Sequence, residues 1–143
     1  MHKIFKTQIV PYSQEKMYYL VNNIKDYPLF LNWCEKSKII MQSDVQIIAS
    51  LSINKSKFRQ TFTTINNLEK YQKITMNLKD GPFKTLFGEW SFNKINDNKC
   101  KVSLKLTFSF NNKLMDFTIA PVFSQIANSQ LDAFINRAKE LYG

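Results

Sequence analysis

Residues 100–110 constrain the fold more than any other stretch of the chain. Cys100, Val102, Leu104, Leu106, Phe108 and Phe110 fall on one side of an extended backbone; Lys101, Ser103, Lys105, Thr107 and Ser109 fall on the other. Side chains alternate between faces along a strand, so this is a strand with one face buried and one wet, the signature of an antiparallel sheet. The same period recurs less cleanly elsewhere. Val45, Ile47, Ala49, Leu51 and Ile53 alternate with mainly polar neighbours, interrupted by Ile48, and Ile74, Met76 and Leu78 do so before an Asp80-Gly81-Pro82 turn. The cover for the buried face has to come from the C-terminal segment, which carries the only long helical pattern. Phe123, Ile126, Ala127, Leu131, Phe134, Ala138 and Leu141 form its apolar stripe. Pro121 either opens this helix in its first turn or kinks one beginning near Asn112, and Gly143 ends it.

Residues 2–10 predict a first strand that stops at Pro11. Ser13 is an N-cap for a helix carrying Met17, Leu20, Val21 and Ile24, with Glu15 in its first turn. Asp26 caps a second short helix over Tyr27–Leu31, with Pro28 where a missing N–H does no harm. Consecutive strands without intervening helices make the fold α+β. We expect one domain over 1–143, with a curved antiparallel sheet of six or seven strands wrapped around a long C-terminal helix and two short helices after the first strand. One helix contacts so wide a sheet only if the sheet curls, and strong curvature with large side chains leaves an apolar space suited to a ligand.

Composition narrows the function. The formal net charge of +9 points towards an anionic partner, but only Arg59 and Arg137 are arginines and the lysines are dispersed, as at Lys25, Lys55, Lys94 and Lys113. Arginine supplies the bidentate base contacts that lysine does not, so DNA is not an expected partner, whereas ribosomal RNA or a membrane surface stays open. Cys34 and Cys100 form no CxxC pair and no disulfide framework. The N-terminal residues show no apolar signal region, and no run of about 18 apolar residues exists to cross a bilayer. The expected location is cytoplasmic, with a peripheral contact at the inner face of the membrane left open.

Catalytic patterns are missing. His2, the sole histidine, falls at a terminus expected to fray, the carboxylates are scattered, and the three glycines Gly81, Gly88 and Gly143 build no phosphate loop. One histidine and two distant cysteines offer no metal-ligand spacing. A binder that is not an enzyme, with no metal and no resident cofactor, is the expectation.

Three segments carry a resemblance to a known family: VPYSQEKMYYLVNNIKDYPLFLNWC at 10–34, DGPFKTLFGEWSF at 80–92 and VFSQIANSQLDAFINRAKELYG at 122–143. In content and order they resemble the coenzyme Q-binding and ribosome association toxin family, within the START-like superfamily of polyketide cyclases, dehydrases and lipid transporters. Asn32 stands where that family places a proline before the Trp-Cys pair, which loosens a turn. The resemblance implies a helix-grip fold and divides the function. One branch implies a carrier of ubiquinone or a related isoprenoid lipid that supports respiration. The other implies binding to the large ribosomal subunit and blocking its association with the small one.

For a bound apolar ligand the candidate lining is Trp33, Phe62, Met76, Trp90, Phe92, Phe108, Phe123, Ile126 and Gln130, each equally readable as core. Gln130 or Tyr18 would donate to a polar head. Asp80, Gly81, Pro82, Phe83 and Lys84 read either as a lid at the cavity mouth or as an ordinary hairpin. Cys34 beside Trp33 reads as a small buried hydrophobe before a reactive thiol.

Overall fold

A computed structural model describes all residues, Met1–Gly143. The elements are β1 (His2–Val10), α1 (Gln14–Asn22), a 3-10 turn (Ile24–Asp26), α2 (Tyr27–Phe30), β2 (Cys34–Gln42), β3 (Gln46–Lys55), β4 (Phe58–Glu69), β5 (Lys73–Asp80), β6 (Phe83–Asn96), β7 (Lys99–Phe110), α3 (Lys113–Thr118) and α4 (Ala120–Tyr142). The seven strands form one antiparallel sheet in the order β1-β7-β6-β5-β4-β3-β2. Thus β2 to β7 run as a meander of hairpins, while β1 leaves that order and pairs with β7, from His2 opposite Phe108 to Val10 opposite Cys100.

Register shifts bend the sheet. They interrupt pairing in the β2–β3, β4–β5 and β6–β7 ladders, the last between Phe83 and Thr85 and again between Lys94 and Asn96. Each extra residue sharpens the local twist and curls the ladder. The concave face then wraps α4, whose Phe123, Ile126, Ala127, Leu131, Phe134 and Ala138 are all buried. This is the curved α+β arrangement that the alternation and the single helical stripe require.

Local chemistry sets the helix boundaries. The Ser13 hydroxyl accepts from the Lys16 N–H at 3.2 Å, satisfying a donor that the first turn would otherwise leave open. The Asn112 side chain caps α3 in the same way, accepting from Met115 N–H at 2.7 Å. Pro121 has no N–H to continue the ladder, so the chain breaks at Ile119 and α4 starts afresh with proline in its first turn. Pro121 therefore opens α4, as the first reading has it, and the segment from Asn112 is a separate short helix and not the front of a kinked one. Gly143 adopts a positive φ and returns its N–H to the Lys139 carbonyl.

Four expectations are corrected. His2 is not frayed: its strand pairs with β7, its ring stacks on Phe108 at 5.0 Å, and its Nε2 hydrogen-bonds with Asp116 at 3.0 Å. Val45 leaves the alternation because it sits in the β2–β3 turn, where it is 67% exposed. Leu141 leaves the stripe, since the last turn of α4 passes α1 and Tyr142 turns inward there, against Tyr12 and the Lys16 carbonyl. Asp26 holds the N-cap position of α2 without capping it; its carboxylate instead accepts from Asn23 Nδ2 at 2.8 Å.

Candidate functional site

Between the concave sheet and α4 the side chains leave a cavity of about 90 Å³. Leu86, Gly88, Trp90, Leu104 and Leu106 of β6 and β7 form one wall, and Phe123, Ile126, Ala127 and Gln130 of α4 form the opposite one. Phe62, Thr64 and Asn66 from β4 and Met76 from β5 close a third side, and Tyr27, which opens α2, and Trp33, just before β2, complete it. Gly88 leaves room into which Met76 folds: Met76 Cε occupies the place that a side chain there would need, and Leu106 Cδ1 would lie 3.1 Å from its Cβ.

Of the 18 lining residues 14 are hydrophobic, and polar groups come from Thr64, Asn66 and Gln130, the Tyr27 phenol and the tryptophan indoles. The phenol is already used, donating to the Val21 carbonyl, and burial pushes its pKa far above the ordinary range. The indole Nε1 of Trp33 donates to Gln130 Oε1 at 3.2 Å, and the Thr64 hydroxyl donates to Asn66 Oδ1 at 2.8 Å. No carboxylate, imidazole, ammonium or thiol lines the space. What such a wall can do is bind and orient an apolar molecule with a few hydrogen bonds.

Seven of the nine residues singled out from the sequence border the cavity: Trp33, Phe62, Met76, Trp90, Phe123, Ile126 and Gln130. The other two are corrected to core positions. Phe92 shares its face with Trp90, stacking on it at 6.4 Å, but lies further along β6, beneath Tyr18 of α1 at 5.9 Å. Phe108 lies beyond the other end, packed on His2, Phe83 and Phe123. Parity along a strand therefore selected the right face but not the part of it left uncovered. Tyr18 belongs to the same layer as Phe92, among Tyr19 and Tyr71, and offers the cavity no donor. Asn66 and Thr64 went unread, although their i+2 and i+4 spacing from Phe62 places them on the same face.

The Asp80–Lys84 segment is an anchored hairpin, which corrects the lid reading. Phe83 is buried against Phe62, Phe110 and Phe123, at ring distances of 5.6, 4.7 and 5.0 Å, and the Pro82 carbonyl accepts from Asn111 N–H at 3.3 Å. Gly81 has φ +145°, and a Cβ there would meet Phe62 Cβ at 2.7 Å, so the turn lies hard against the cavity wall.

Both cysteines are buried, and burial pushes the thiols of Cys34 and Cys100 from 9.0 up to about 11. At pH 8 the native thiols should react with Ellman's reagent about 100-fold more slowly than in urea, as two pKa units of suppressed thiolate require. The neutral thiol is the form the fold favours, so its contribution is complete below pH 9 and is lost as pH rises through 11. Rapid labelling of Cys34 in the folded protein at pH 8 would contradict this burial.

The family described as "Polyketide cyclase / dehydrase and lipid transport" matches residues 10–135. The chain belongs to that family. Within it, the chain is 42% identical over 142 residues to the ribosome association toxin RatA of Escherichia coli K12, covering 99% of this chain and 90% of that one. It is 25% identical over 143 residues to the mitochondrial coenzyme Q-binding protein COQ10 of Drosophila melanogaster, covering 96% of this chain and 59% of that one. Its fold matches the ZhuI aromatase/cyclase of a Streptomyces species with a TM-score of 0.85 at 14% identity, over 96% of this chain and 93% of that one. Chains similar in sequence thus carry the names of a toxin and a quinone-binding protein, and the fold is shared with an aromatase/cyclase. No helix of this member is long and apolar enough to cross a membrane.

Proposed function

We propose that this chain is a non-enzymatic carrier that holds the ring of ubiquinone or a related isoprenoid quinone in the cavity beneath α4. The observation carrying this reading is the cavity itself, with 14 hydrophobic side chains, amide side chains at Asn66 and Gln130, and no ionisable group placed for acid–base work. The name of the Drosophila relative supports it. Size limits how the ligand sits. At about 90 Å³ the space is smaller than the roughly 150 Å³ cavity that accepts a benzene ring, so a ring enters only if a side chain yields. Met76 is that side chain, because it is unbranched, adaptable and folded over Gly88. An isoprenoid tail runs outside this volume.

Protein purified from a quinone-producing host should release quinone on extraction with organic solvent, and a short-tailed ubiquinone should raise the thermal midpoint of the emptied protein. An extract without quinone together with an unmoved midpoint would remove this reading.

A second reading, association with the large ribosomal subunit, is favoured by identity to RatA along nearly the whole chain and by the outer face of the β1–β7 pair. There the half-exposed or exposed side chains of Phe5 and Ile9 stand opposite Lys105 and Lys101, with Lys3 alongside. Lysines flanking an aromatic suit a phosphate backbone with unstacked bases. The chain should sediment with large subunits at low salt and release steeply as salt rises; the triple substitution K3E/K101E/K105E should abolish co-sedimentation. Wild-type protein staying at the top of the gradient in low salt would end this second reading.

A further inference from the structure

Two amide groups in the cavity have donors that nothing in the chain uses. Asn66 is 5% exposed on β4, and its Oδ1 is occupied by the Thr64 hydroxyl; Gln130 on α4 has its Oε1 occupied by the Trp33 indole. In both, the carbonyl end is held by a neighbouring donor and the NH₂ end makes no hydrogen bond to the protein, while the residue borders the cavity. A donor that borders the cavity and meets no protein acceptor gains most from a ligand that supplies the missing one. The orientation of each amide is set by its partner. A hydroxyl or an indole N–H pins the amide oxygen, so the nitrogen points elsewhere.

We propose that Asn66 Nδ2 and Gln130 Nε2 are the specificity elements of the cavity, and that they select a compact apolar ring bearing carbonyl oxygens over a hydrocarbon of the same shape. The inference rests on the carrier reading above and sharpens it. What is recognised is the pair of acceptor oxygens on the ring, and the isoprenoid tail adds contact without adding choice. Thr64 and Trp33 act as positioning residues, because they fix the amides without touching the ligand through a free polar atom. A ligand group that can only donate, such as an ammonium, would meet two further donors and be refused.

The test uses two rings of equal outline on the full chain: duroquinone, which has two carbonyl oxygens, and durene, the same tetramethylated ring without them. Calorimetric titration of the wild-type protein should show duroquinone binding at least tenfold more tightly than durene. In the double variant T64V/N66L, which removes both members of the internal pair and so leaves no orphaned hydroxyl, the ratio of duroquinone to durene affinity should fall severalfold. Q130M should do likewise from the other side. Equal wild-type affinity for the two rings, or a double variant that keeps the full preference, would overturn the assignment while leaving the cavity a ligand site. Binding of neither ring to the wild-type protein removes the carrier reading itself, and this inference with it. Because the wild-type comparison needs no substitution, a variant that fails to fold does not rescue the proposal.

Discussion

Replacing Phe134 by alanine should lower stability by about 3–5 kcal/mol, one of the largest single-site losses available in this chain. Phe134 is completely buried on the inner face of α4, where its ring meets the edges of Tyr27, Phe30 and Trp90 at 5.3, 5.2 and 5.1 Å. These partners come from α2 and β6, so one side chain ties the terminal helix to the sheet and to the helical segment after β1. Truncation removes the ring's transfer free energy and leaves a void that three other aromatics cannot fill without breaking their own contacts. For a chain of this length the loss corresponds to a fall in thermal midpoint of roughly 10–15 °C. Phe117→Ala provides the contrast: that ring is 81% exposed, and its loss should change stability by about 0.5 kcal/mol or less. Calorimetry on the two variants gives the comparison. Similar midpoints for both would mean that α4 is not held by this cluster.

Ala127→Leu should produce the opposite pairing of effects: little change in stability and a loss of ligand binding of more than about tenfold. Ala127 is 3% exposed and its methyl forms part of the α4 wall of the cavity. Leucine is nearly as good a helix former, so the backbone is undisturbed, and the added carbons enter space that is already empty. With about 90 Å³ available, those carbons take much of the room a ring would need. Filling a void in a core stabilises, and overpacking costs 1–3 kcal/mol, so the midpoint should move by a few degrees in either direction. A short-tailed ubiquinone titrated against this variant decides the outcome. Undiminished affinity would place the ligand somewhere other than beneath α4.

How much was legible in the sequence follows from which forces are local. The face of each strand is fixed by alternation, so the inward set of β7 could be read directly: Cys100, Val102, Leu104, Phe108 and Phe110 are all buried. Helix caps are similarly local, and Ser13 was readable because its hydroxyl satisfies an N–H three residues away. Position along a strand is different. Whether an inward aromatic meets the cavity or another element depends on what packs over it, and nothing near Phe92 in sequence announces that Tyr18 covers it. His2 was misread for a related cause, since the strand that orders it lies at the far end of the chain. The polar cavity residues were hidden by composition: an asparagine in a strand usually faces water, and only the burial of Asn66 reveals otherwise.

The union of β1 with β7 has a consequence for how the protein is made. His2 leaves the ribosome well before its partner Phe108, since the five strands β2 to β6 are synthesised between them. At roughly 5–20 residues per second, the opening segment waits several seconds or longer with one edge and its apolar side chains bare. During that interval the hairpins from β2 onward can close in turn, but the sheet has no finished border until β7 appears. Maturation should therefore be abrupt and late, with nascent chains halted before residue 99 remaining sensitive to protease and attractive to chaperones.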